Sequence, residues 1–126
     1  MKKVWIVDDD QEMANAMSMM LELLDCQVTR FLNARSAAQT LLTGQRPDMM
    51  VLDINMPEVS GLDLLEFLRR RSEWKDLPVV MLSSEAADVT VDRAMALGAD
   101  GYVMKPVTLD ELEKAINTAF KKYQKG

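Results

Sequence analysis

The sequence predicts an α/β domain whose parallel sheet is covered by helices on both faces. Three observations predict it. Five short apolar runs recur along the chain: VWIV (4–7), QVTRF (27–31), MMVLD (49–53), VVML (79–82) and YVM (102–104). Stretches with helical periodicity lie between them, and helix caps and breakers fall at the boundaries. Strand–helix alternation repeated five times favours parallel pairing with helical crossovers.

The elements follow in order. The first, third and fourth runs are almost continuously apolar, as strands buried on both faces are. Met13, Met17, Leu21 and Leu24 make one helical stripe, Leu64, Leu65 and Leu68 a second, and Leu112, Ala115, Ile116 and Ala119 a third. Asp10 suits the start of the first helix, where a negative charge complements the dipole. RRR (69–71) reads as a cationic end to the third helix on a solvated face. Pro47 and Pro78 stand just ahead of strands three and four, where helix cannot continue. LGADG (97–101) stops the fourth helix with glycine. Thr108 or Asp110 caps the last helix, and Glu111, three residues after Thr108, completes a capping box.

A chain of 126 residues has room for one domain with a single core, here taken as 1–126. A net charge of -5 argues against gripping nucleic acid by its phosphates. The absence of histidine excludes His-ligated metal sites, imidazole-dependent triads and a phosphohistidine carried by this chain. Cys26 is the only cysteine, so it reads as a small buried side chain in a reducing cytoplasm. No run approaches the roughly 18 apolar residues of a membrane span. The N-terminal apolar run is four residues long and ends in acid, unlike a signal peptide. The 11 methionines are mostly core filler.

In doubly wound sheets, sites form beyond the carboxyl ends of the strands. Asp8 and Asp9 follow strand one, Asp53 ends strand three with Asn55 just beyond, Ser83 follows strand four and Lys105 follows strand five. Three consecutive aspartates, Asp8 to Asp10, at the end of a buried strand repel one another and resist desolvation. A solvated turn is one explanation and a cation site the other.

With VDDD (7–10), VLDINMP (51–57), SGLDLL (60–65), VVMLSS (79–84) and GADGYVMKP (98–106) in this order and spacing, the sequence resembles the receiver domain of two-component response regulators, in its chemotaxis-type form. The resemblance covers nearly the whole chain and implies a flavodoxin-like sheet of order 2-1-3-4-5 with five helices. It implies that Asp53 is the phosphoryl acceptor, a role that suits a carboxylate nucleophile. Asp8, Asp9, Asp53 and the carbonyl of Asn55 would hold Mg2+, with Mn2+ as a substitute, because hard cations take oxygen ligands. Lys105 and Ser83 would stabilise the phosphoryl oxygens. The family commonly has a cis peptide before the proline at 106. Ser83, where threonine is commoner, and Tyr102 would form the switch pair. Asn55 and Glu85 would modulate loss of the phosphoryl group. Implied partners are a sensor histidine kinase or histidine phosphotransfer protein upstream and a protein target downstream, without direct contact to nucleic acid or membrane. The domain would catalyse only its own phosphoryl transfer and dephosphorylation, not act as an enzyme on other substrates.

Three rivals are weaker. A receiver-like module that is never phosphorylated would usually have lost an acid or the lysine. An aspartate phosphatase needs a second acid two residues after the nucleophile, and Asn55 stands there. A flavin carrier needs a hydroxyl- and glycine-rich phosphate loop after strand one, where Asp8 to Asp10 would repel phosphate. Two outputs fit: a stand-alone regulator working by contact, or the receiver piece of a longer protein. Dimerisation as in transcription-factor receivers is disfavoured, since GADGY and LEKAINTAF lack several of the charges used there.

Overall fold

A computed structural model describes residues 1–84 and 88–123. Its elements alternate as β1 (Lys2–Val7), α1 (Gln11–Leu23), β2 (Cys26–Phe31), α2 (Ala34–Leu42), β3 (Met49–Asp53), α3 (Gly61–Arg69), β4 (Val79–Ser83), α4 (Asp88–Ala96), β5 (Gly101–Met104) and α5 (Leu109–Lys122). All pairings are parallel and the order is β2-β1-β3-β4-β5. This is the flavodoxin-like doubly wound sheet that the resemblance implies. No helix among the described residues is long and apolar enough to cross a membrane.

Burial follows from position in that order. Central β3 and β4 are buried at every residue, while edge strands β2 and β5 are mostly half-exposed. Successive strand residues point to opposite faces, so each strand feeds two cores. Trp5, Val7, Met50, Leu52, Val79 and Met81 pack under the apolar stripes of α2 and α3. Val4, Ile6, Met49, Val51, Val80, Leu82 and Val103 pack under Met17 and Leu21 of α1 and Leu112, Ile116 and Ala119 of α5. Ala14 and Ser18 share the buried face of α1, where Met13 and Leu24 are only half-buried. The face is therefore wider than the methionine–leucine stripe suggests. Cys26 is buried as expected, and burial together with the charge of Asp25 pushes its thiol pKa up.

Helix ends are set by side chains satisfying orphan N–H groups. Asp10 caps α1, its Oδ1 accepting from Glu12 N and Met13 N at 3.0 and 3.3 Å. Ser60 and Asp63 form a reciprocal capping box on α3. Thr108, not Asp110, caps α5, with Glu111 N donating to its hydroxyl at 3.2 Å. Gly98 follows α4 with φ of 105°, the left-handed conformation that stops a helix at glycine.

Arg69 corrects the reading of RRR as a wholly solvated end. Its side chain turns inward, only 13% exposed, and pairs with the fully buried carboxylate of Asp100 at 2.9 Å. It also donates to the carbonyls of Gly98, Trp74 and Leu77 at 2.9, 3.0 and 2.8 Å. Asp100 further accepts from Val79 N at 2.9 Å and from the Tyr123 hydroxyl at 3.0 Å, and lies 3.1 Å from Lys122 Nζ. Burial is the first reason that the Tyr123 phenol is pushed up to about 12, and the hydrogen bond to Asp100 adds to it. One carboxylate thus ties the C-terminal ends of α3 and α5 to the starts of β4 and β5. Removing one partner of a buried pair strands the other charge. Asp100→Ala is therefore expected to lower stability by about 3 kcal/mol, read as a lower urea midpoint.

Candidate functional site

Strand register brings the expected residues together. Val7 pairs with Leu52, so Asp8 and Asp53 lie side by side, one step beyond that pair. Ser83 pairs with Met104, and Lys105 follows immediately, its backbone N–H donating to Ser83 O at 2.8 Å. Lys105 Nζ lies 3.5 Å from Asp53 Oδ1 and 3.7 Å from Asp8 Oδ2. The Lys105–Pro106 peptide is cis, as the resemblance implies. Asp8, Asp53 and Ser83 are buried, whereas Asp9 is exposed at the rim.

Local structure fixes the carboxylates. Asp8 N donates to Phe31 O at 3.0 Å, and Asp8 Oδ1 accepts from Asp10 N at 2.9 Å. Asp53 Oδ1 accepts from Asn55 N at 3.2 Å. The tightest steric constraint is at Gly61, the first residue of α3. A Cβ there would lie 2.2 Å from the backbone oxygen of Asp53. Only glycine lets α3 begin against the strand end that carries Asp53.

The donor set suits a hard divalent cation. Oxygen atoms of Asp8, Asp9 and Asp53 lie within 4.8 Å of one another. Asp8 Oδ2 is buried without a hydrogen-bond partner among the described residues, the kind of orphan that a bound cation would satisfy. Three carboxylates without softer ligands match magnesium or manganese rather than zinc.

Without a cation, the protein's own charges decide the state of Asp53. Burial first, then the charge of Asp8, raises its pKa to about 6; Lys105 and the Asn55 N–H pull the other way without prevailing. A carboxyl with a raised folded-state pKa binds protons more tightly folded than unfolded. Stability therefore falls as pH rises from about 4 to about 6, and the penalty is complete above that window. In the absence of divalent cations, Asp53→Asn is expected to be more stable than the wild type at pH 7.5, by on the order of 2 kcal/mol. The advantage should shrink towards pH 4. Thermal melts across pH 4–8 in chelator check both the sign and the window.

Of the other expected residues, Tyr102 is half-buried on β5 and packs against the apolar cluster beneath α2 and α3. Asn55 is exposed, its side-chain amide donating to Ser84 Oγ at 3.2 Å. Glu85 lies outside the described residues.

The buried carboxylate of Asp53, a neighbouring acidic cluster and a lysine on a cis peptide bond meet at the ends of β1, β3 and β5. The family model for the response regulator receiver domain matches residues 4–117. The chain belongs to that family. Protein RcaC of Microchaete diplosiphon is 37% identical over 114 residues, covering 90% of this chain but 17% of its own length. Chemotaxis protein CheY of Pseudomonas aeruginosa is 33% identical over 120 residues, covering 95% of this chain and 97% of that protein. The solved structure of Vibrio cholerae chemotaxis protein CheY4 matches with a TM-score of 0.85 at 28% identity, over 94% of this chain and 98% of that one. The chain thus spans a small part of one relative and almost all of another.

Sequence reasoning missed three features of this receiver domain. Gly61 stands within the SGLDLL run, but its steric reason depends on how α3 approaches β3. The inward turn of Arg69 had a signal, because Arg69 lies four residues after Leu65 on the same buried stripe. The bond from Asn55 to Ser84 had none, since it joins two loops that only the fold brings together.

Proposed function

We propose that this receiver domain is a phosphoacceptor switch in a cytoplasmic two-component pathway. The observation that carries this reading is the meeting of Asp8, Asp53 and Lys105 within 4 Å contacts at one sheet edge, with Asp8 Oδ2 buried and lacking a hydrogen-bond partner among the described residues. The donor is a phosphohistidine on a sensor kinase or histidine phosphotransfer protein. An Asp53 carboxylate oxygen attacks the phosphorus, the P–N bond breaks, and the departing imidazole is protonated from solvent. Asp8, Asp9, Asp53 and the Asn55 carbonyl would hold Mg2+, which when bound offsets the negative charge of the carboxylates and phosphoryl oxygens. Lys105 supplies a cation and Ser83 a hydroxyl for the other oxygens, so that positioned charge does most of the work. The reaction is confined to the domain's own aspartate.

Loss of the group by attack of water completes the cycle. Asn55 and Glu85 are the two polar side chains assigned to that step. The output is carried by the face made of α4, β5 and α5, which recognises a protein target.

Two experiments test this reading. Incubation with acetyl phosphate and Mg2+ is expected to add one phosphoryl mass at Asp53, and chelator or Asp53→Asn is expected to abolish it. Intact mass spectrometry reads both, and full labelling of the Asn variant refutes the assignment. The second separates chemistry from signalling. Lys105→Ala is expected to retain Mg2+ binding and slow labelling but to lose the change around Tyr102 and α4–β5–α5. Amide exchange with and without a beryllofluoride mimic measures that change, and a wild-type response in the variant overturns the role of Lys105.

A further inference from the structure

At the sheet edge opposite Asp53, a cavity of about 450 Å³ opens between the starts of β1 and β2 and the last turns of α5. Lys2 and Cys26 begin those strands and pair in register, and Leu24 is the C-terminal cap of α1. The inner wall is apolar, made by Leu24, Cys26, Ile116 and Phe120, with Cys26 and Ile116 each only 5% exposed. Burial pushes the Cys26 thiol up, so that wall carries no charge at neutral pH. The rim has the opposite character, for Lys2, Asn117 and Lys121 are exposed. Lys2 Nζ lies 4.8 Å from the centroid of the Phe120 ring, which holds one ammonium at the mouth. Asn117 and Lys121 are one helical turn apart on α5 and share a side of it. Neither of these two side chains has a hydrogen-bond or ion-pair partner among the described residues.

Among the described residues no acid lines the cavity. Two ammoniums and an amide around a neutral apolar wall suit an anionic head on an apolar body, and the volume is that of a small-ligand site. The chain's net charge of -5 works against docking of this edge on an anionic membrane, whereas a free molecule meets only the local cationic rim. We infer that this cavity binds a small organic anion with an apolar body, of the medium-chain monocarboxylate type. The occupant would bridge α5 to the starts of β1 and β2. The inference is independent of the phosphoacceptor reading, because the cavity and Asp53 lie at opposite edges of the sheet.

The test titrates the full chain, isotope-labelled for amide NMR, with octanoate. Acetate supplies the head alone and octanol the body alone. Octanoate is expected to give saturable amide shifts at Cys26, Ile116 and Phe120, and acetate none. Octanol should bind about fivefold more weakly or worse, the share of one or two exposed charge contacts. Lys121→Glu is expected to weaken octanoate about five- to thirtyfold, by loss of one such contact and gain of a repulsion, while Lys121→Arg stays within about twofold. Asn117→Trp places a ring across the mouth and should abolish the shifts. Both positions are exposed, so the remaining amide spectrum of each variant should stay that of the wild type. No saturable shift at these amides, octanol binding as tightly as octanoate, or wild-type binding in Lys121→Glu or Asn117→Trp overturns the inference.

Discussion

Two carboxylates buried side by side at the ends of adjacent strands are the constraint on which this molecule turns. Asp8 and Asp53 are almost inaccessible, and among the described residues only one ammonium, that of Lys105, lies within ion-pairing distance of both. A lone cation at 3.5 and 3.7 Å does not neutralise two acids, which is why burial and mutual repulsion hold the Asp53 pKa near 6. Such a site is unstable by construction and has an affinity for positive charge. Unmet attraction of this kind can be used, because whatever cation or transferable group relieves it shifts the balance of the surrounding strands.

The rest of the fold is arranged so that this local cost is tolerable. Strands β1 and β3, which carry the acids, sit between neighbours on both sides, and both cores close over them. Gly61 lets α3 start directly against the carbonyl of Asp53, fixing that strand end from behind. At the opposite edge of the sheet the electrostatics are reversed. There the single buried carboxylate of Asp100 has Arg69, Lys122, Tyr123 and Val79 N as partners. One edge is under-neutralised and the other is fully paired, so rigidity is concentrated away from the site.

These differences explain what could be read in the sequence. Strands and helix caps are local, and the apolar runs, Asp10, Thr108 and Gly98 mark them within a residue or two. Convergence of Asp8, Asp53, Ser83 and Lys105 was also legible, because a parallel sheet places every strand's C-terminal end on one edge. Their order across that edge came from the family resemblance, since periodicity alone does not choose 2-1-3-4-5. What stayed hidden involves distances between loops or between helix ends. Arg69 reads as the first of three solvated arginines unless Asp100, thirty-one positions away, is known to lie beside it. Ser84 reads as a loop hydroxyl until Asn55 is brought to it across two strands.

Under the proposed chemistry, the direction in which a signal leaves the site follows from the same asymmetry. A phosphoryl group on Asp53 adds negative charge where one lysine already serves two carboxylates, so Lys105 and the Ser83 hydroxyl must readjust. Asp8 and Asp53 have little room to do so, because their strands are paired on both sides and buried throughout the segments next to them. Lys105 directly follows a four-residue edge strand that is paired on one side only and mostly half-buried. Elements with fewer buried contacts and one-sided pairing open and shift at lower cost. Displacement therefore passes into β5 before it passes into β1 or β3. Tyr102 lies three residues before Lys105 on that strand and packs against the core, so movement of β5 is coupled to repacking of the ring. Helix α5 inherits the change because it packs against that strand.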